Sequence, residues 1–196
     1  MSSRDQAMAE ARARAVEAAS RRTDAQIRGL EAVVRSLDFG KDAADVLGKY
    51  LEAAADVVLG EAKRRAPVDS GLLKTSINRQ VRKDSDYVVT ASVGTNVARD
   101  GRPYGAFMEY GTGLVHDHPT WPRKRHVVPP AALMGWAERK GRGGTYHDAW
   151  VIADAITRRG GLKPRRYLRG SLELYSDRIK SQLGQVVAEI RRRRGI

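Results

Sequence analysis

The chain has no cysteine, which excludes disulfides, a Cys-x-x-Cys redox pair and a thiolate zinc site. Aromatic residues are scarce, at 6% of 196 residues, and acidic residues are outnumbered, 23 Asp and Glu against 36 Lys and Arg. No run approaches the roughly 18 consecutive apolar residues that a membrane-spanning helix requires. The opening Met1-Ser2-Ser3-Arg4-Asp5-Gln6 lacks the apolar core of a signal peptide. These absences lead us to expect a soluble protein made in a reducing cytoplasm, with no membrane partner and no cofactor. The length suits one domain with appendages. The formal charge of +13 favours a polyanionic neighbour, most often nucleic acid, without specifying a fold.

That charge is unevenly placed. Residues 1–113 carry 18 basic and 16 acidic side chains, whereas residues 114–196 carry 18 and 7. The carboxy-terminal part therefore holds nearly all of the excess.

Four segments follow from the pattern. Residues 1–40, rich in Ala, Arg and Glu, read as a helical arm with a weak apolar stripe that strengthens from Ile27 to Leu37. Residues 41–113 read as a core helix and antiparallel sheet. Val46, Leu47, Tyr50, Leu51, Ala54, Val57, Val58 and Ala62 recur at helical spacing, and Pro67 stops the helix near Ala66. Val68-Asp69-Ser70-Gly71 is a turn in which Asp69 or Ser70 is placed to cap a following turn. Residues 75–94 suit a hairpin with Ile77 and Val81 on one face, Val89, Ala91 and Val93 on one face of its second strand, and a polar link from Lys83 to Asp86. Tyr104 to Gly113 is a short, mostly apolar segment closed by a glycine-rich turn, and its conformation is open between strand and buried helix. Residues 114–160 read as an irregular basic loop followed by two helices, about Trp136 and Trp150. Residues 161–196 read as a return strand and a C-terminal basic helix ending in Arg191-Arg192-Arg193-Arg194. The whole is expected to be a single α+β domain, with a small antiparallel sheet packed on the long helix.

Residues able to carry chemistry are few. His116, His118 and His126, near Asp117, match no established metal-ligand spacing, and surface histidines in a loop are the expectation. Gly141-Arg142-Gly143-Gly144-Thr145 lacks the ending of a phosphate-binding loop. No Gly-x-Ser-x-Gly elbow is present. Glu109 is the one carboxylate inside an apolar stretch. A raised-pKa general acid is one reading, and a salt bridge or backbone hydrogen bond is the favoured one. Lys163, Arg165 and Arg166, together with the terminal Arg191, Arg192, Arg193 and Arg194, are candidate phosphate contacts of a sequence-independent kind.

Ala62-Lys63-Arg64-Arg65-Ala66-Pro67-Val68-Asp69-Ser70-Gly71-Leu72-Leu73-Lys74-Thr75-Ser76-Ile77 resembles a signature of the tail-completion proteins of long-tailed phages, the minor tail protein Z-like group. Tyr104 to Gly113 resembles that group's second signature through Tyr104, Glu109, Tyr110, Gly111, Thr112 and Gly113. Lys163 to Leu168 is similar to its third. Ser70 stands where threonine is usual and Gly105 where alanine is usual. The insertion of residues 114–160 is longer than in compact members, and the amino-terminal arm has no counterpart. The resemblance implies an α+β fold and a hexameric ring at the head-tail junction of a phage or a phage-like particle such as a gene transfer agent. Its partners would be further copies of itself, tail-tube, terminator or connector and stopper proteins, and DNA in the lumen. It implies no catalysis. Pro67, Asp69, Ser70, Gly71 and the Tyr104–Gly113 motif would serve fold and subunit interface, and the arm and the loop of residues 114–130 would reach neighbouring subunits. The competing reading is a basic protein that binds nucleic acid without sequence preference.

Overall fold

Helix α1 (Gly40–Arg65) is the spine of the computed structural model, which describes residues 25–27, 40–85, 88–98 and 103–194. Its buried stripe is Ala44, Leu47, Leu51, Ala54, Ala55, Val58 and Ala62, continued by Ala66. Four of the five positions from Ala54 onward being alanine lets the sheet lie close against the helix. Val46 and Val57, expected in this stripe, are instead about half exposed, at 44% and 46%. The stripe is narrower than the apolar pattern suggests because the sheet covers one side of the helix only.

After α1 comes a five-residue helix α2 (Leu72–Ser76), whose cap position is Gly71 rather than Asp69 or Ser70. Strands β2 (Asn78–Ser85) and β3 (Val88–Gly94) form the expected hairpin, with Val81 opposite Ala91 and an irregularity between Lys83 and Ser85. Strand β1 (Ala25–Ile27) pairs antiparallel along the other edge of β3, so the sheet order is β1-β3-β2. These three residues fall within the stretch expected to be a helical arm. They are strand because the open edge of β3 offers backbone partners that local helix propensity does not outweigh. The remainder of the arm lies outside the described residues.

Ile77, Ala91 and Val93 meet Leu51, Ala55 and Val58 of α1 in the main core. Arg79, opposite Val93 in the register, reaches back to α1, where its guanidinium bridges Glu52 at 2.8 Å and Asp56. Helix α3 (Tyr104–Tyr110) resolves the ambiguous apolar run as helix. In the insertion, a 3-10 turn (Pro130–Leu133) leads into α4 (Met134–Arg139), and α5 (Tyr146–Arg158) starts with a Thr145–Asp148 capping box. The Thr145 hydroxyl and amide hold the Asp148 carboxyl below its ordinary pKa.

Helix α6 (Arg169–Arg194) lies along α1. Ile179 enters the main core, Val187 and Ile190 join Leu47 in a second cluster, and the Tyr50 hydroxyl donates to the Ile179 carbonyl at 2.9 Å. No strand forms between residues 161 and 168, contrary to the expected return strand. Pro164 has no N–H to give a ladder, Arg166 sits at a φ of 50°, and the amides of Arg165 and Arg166 are drawn to α3 instead. Among the described residues no helix is long and apolar enough to cross a membrane.

Glu61, near the end of α1, is buried and receives Arg64 at 2.6 Å and Arg65 at 2.6 Å. These hydrogen bonds lower its pKa from 4.5 to about 2. A depressed carboxylate pKa contributes stability that is complete above the unfolded value and is lost as pH falls from 4.5 toward about 2. The Glu61→Gln variant is therefore expected to show a shallower loss of stability across that acid range than the parent, measured by denaturant midpoints at successive pH values.

Candidate functional site

The second signature and the third are brought together by α3. Its last carbonyls, on Met108 and Glu109, accept from the amides of Arg165 (2.9 Å) and Arg166 (3.2 Å). That contact carries the chain into Tyr167 and Leu168, both fully buried, and Tyr167 donates its hydroxyl to the Gly105 carbonyl at 3.2 Å. A β-carbon on Gly105 would stand 2.6 Å from the Thr95 methyl and 3.2 Å from the Tyr167 hydroxyl. Glycine at this position, where the resembling group has alanine, therefore suits the close seat of α3 on Thr95.

Glu109 has no exposed surface, and both of its oxygens are occupied. Oε2 accepts from the Leu168 amide at 2.8 Å. Oε1 accepts from the Arg169 amide at 3.0 Å and from Arg169 Nε at 3.1 Å. A carboxylate thus meets the first free amides of α6, where the helix dipole favours negative charge, and is paired with the cation that opens the helix. The other side of the Arg169 guanidinium reaches Asp117 at 2.8 Å, and Arg166 reaches the second Asp117 oxygen at 2.8 Å. Arg169 also lies over the Tyr110 ring, 4.7 Å from its centroid. Carboxylate partners raise the Arg169 pKa against the opposing effect of burial, so it stays charged.

The Gly111-Thr112-Gly113 turn closes on Gly160-Gly161-Leu162. Thr112 N–H donates to the Leu162 carbonyl at 2.9 Å, Leu114 N–H to the Gly160 carbonyl at 2.7 Å, and Leu162 N–H to the Thr112 hydroxyl at 3.0 Å. Backbone meets backbone here without room for a side chain on Gly113 or Gly161.

The loop expected to carry surface histidines is folded inward. His116 and His118 are buried, because His118 stacks on Trp121 at 4.3 Å and meets the Tyr110 ring edge-on at 4.5 Å, while Phe107 contacts Trp121 at 5.7 Å. His116 Nδ1 accepts from the His118 amide at 3.2 Å. Among the described residues no group of three His, Asp or Glu side chains is placed to hold a metal ion. The available clue to this cluster was one tryptophan among the histidines, at a distance from α3 that the sequence leaves open.

The first signature is held from outside. Asp69 takes a two-pronged contact from Arg139 of α4, at 3.0 and 2.6 Å, and Lys140 donates to the Val68 carbonyl at 2.8 Å. Pro67 is half-buried, Ser70 exposed, and Tyr104 packs on the main core.

The basic candidates divide. Lys163 and Arg165 are exposed beside α3, whereas Arg166 is engaged with Asp117. Arg191 and Arg192 are exposed at the far end of α6, with Arg192 paired to Glu189. A helix rise of about 1.5 Å per residue puts them roughly 33 Å from Arg169. Arg193 and Arg194 belong to the same helix, and their side chains lie outside the described residues.

Residues 34–111 match the model of a protein family described as "Bacteriophage HK97-gp10, putative tail-component". The stretch contains α1, α2, the β2–β3 hairpin and α3, and with them the whole first signature and most of the second. The resemblance to phage tail proteins is thereby borne out over this part of the chain. No curated protein and no solved structure matches it.

Proposed function

We propose that this chain is a structural virion protein of the head-tail junction, six copies of which close into a ring that completes the tail and joins it to the head connector, with DNA passing through. The observation that carries this reading is the tail-component match over residues 34–111. The state of Glu109 supports a structural role over a catalytic one, since both oxygens serve α6 and none faces a cleft. The signature residues do the work of assembly elements: the Gly-Thr-Gly turn holds the return segment, and Asp69 holds the insertion. Heterologous contacts between identical subunits close into a ring when the rotation between neighbours permits. Exposed Trp150, Val151 and Tyr146 on α5 supply apolar surface for such contacts or for stacked tail-tube, terminator or connector and stopper rings.

The test is the location of the chain in intact particles. A labelled copy imaged by electron microscopy is expected as a sixfold ring between head and tail, and particles lacking the protein are expected as unjoined heads and tails. Label on the shell, the tail tip or fibres, or normal joining without the protein, overturns the reading. The second reading, a basic protein acting on nucleic acid alone, is favoured by one observation, the exposed Lys163 and Arg165 beside α3, which have no ion-pair partner among the described residues.

A further inference from the structure

Three pieces of chain lie side by side along α3. Trp121 packs on Phe107. His126 abuts Gly113, which faces the Gly160 carbonyl. Residues 162–166 run along the end of α3 through the amide contacts to Met108 and Glu109. Six exposed cations border this seam: Arg123, Lys124 and Arg125 from the loop, and Arg159, Lys163 and Arg165 from the return segment. None of the six is ion-paired among the described residues. The nearby carboxylates are already engaged, Glu109 and Asp117 by Arg169 and Arg166, and Asp154 by Arg158.

We infer that this seam, and not the terminal arginine tract, is a phosphate-binding strip for duplex DNA; the inference rests on the reading that DNA passes this protein. Uncompensated exposed cations draw a polyanion and release its counterions. Trp121 is turned in against His118 and Phe107, so the seam presents no aromatic platform on which unpaired bases would stack. What remains is backbone contact without sequence readout, which suits DNA in transit.

The experiment is titration of the full-length protein against a labelled duplex of about 30 base pairs, between about 50 and 200 mM salt. Each phosphate contact contributes about 0.9 to the slope of log affinity against log salt, so Arg123→Gln/Lys124→Gln/Arg125→Gln is expected to flatten it by about 3. Adding Lys163→Gln and Arg165→Gln is expected to flatten it by about 2 more. Arg191→Gln/Arg192→Gln is expected to leave the slope unchanged. All substituted side chains are exposed, and unchanged melting curves would confirm that the variants fold. An unaltered slope in the five-site variant, or a loss confined to the terminal variant, overturns the inference. So does tighter binding of single-stranded DNA, or of polyglutamate of equal charge. The two proposals fail separately: a flattened slope with the chain absent from the junction sinks the junction, and an unaltered slope with the chain at the junction sinks the strip.

Discussion

Replacing Glu109 with leucine is expected to cost about 3 kcal/mol of stability, at the lower end for breaking a buried ion pair because Arg169 keeps a third of its surface in water. For a chain of this size that corresponds to a melting temperature lowered by roughly 10 °C. Three things fail together in this variant. Arg169 loses the partner on its buried side, the amides of Leu168 and Arg169 lose their acceptor, and the favourable charge at the start of α6 disappears. Glu109→Gln keeps one oxygen for an amide and should fall between the parent and the leucine variant. The double variant Glu109→Leu/Arg169→Met should recover part of the loss, because the stranded cation is gone while the two amides remain without an acceptor. Denaturant unfolding of the four proteins decides the matter. If Glu109→Leu stays within about 1 kcal/mol of the parent, the carboxylate is not the structural knot described here, and a role in interface or chemistry would have to be sought.

Gly113→Ala is the second large effect. The residue sits at a φ of 74°, and a left-handed backbone costs an L-residue about 1–2 kcal/mol by itself. A β-carbon there would also collide with the Gly160 carbonyl, the acceptor for Leu114 N–H, and a backbone atom cannot swing aside as a side-chain tip can. The expected total is about 3 kcal/mol or more, with separation of the Gly-Thr-Gly turn from the return segment. Gly71→Ala supplies the control. Its φ is 81°, but a β-carbon would meet nothing within 4 Å, so only the conformational part, about 1–2 kcal/mol, should appear. Equal losses in the two variants would show that the close approach of residues 111–113 to 160–162 contributes nothing.

The core helix, the hairpin and the C-terminal helix were legible because each repeats a local rule. Leu47, Leu51, Val58 and Ala62 return to one face of a helix, and Val81, Ala91 and Val93 alternate along strands. Pro67 and the Gly160-Gly161 pair end helices wherever they occur. The reading of Glu109 as a salt bridge or backbone acceptor was also within reach, because a carboxylate in an apolar run requires a partner. Its partners were not legible. Leu168 and Arg169 lie 59 and 60 residues away, and nothing local couples position 109 to either.

The departures have the same origin. Ala25–Ile27 is strand because β3 has an open edge, His116 and His118 are buried because Trp121 finds Tyr110 and Phe107, and Arg166 is held by Asp117. Each depends on what stands across from a residue in space, which periodicity and propensity do not encode. By itself the sequence determined the α+β class, the principal helices and hairpin, the tail-protein signatures and the basic excess beyond Gly113. These depend on short-range spacing, local backbone preference and simple counting. Only the tertiary structure decided that the signatures lock onto each other through Glu109 and the Gly-Thr-Gly turn, and that the basic residues separate into a seam beside α3 and a tract at the far end of α6. Those outcomes come from long-range packing, in which the free energy of burying α3 against Tyr167 and Leu168 selects which distant groups meet.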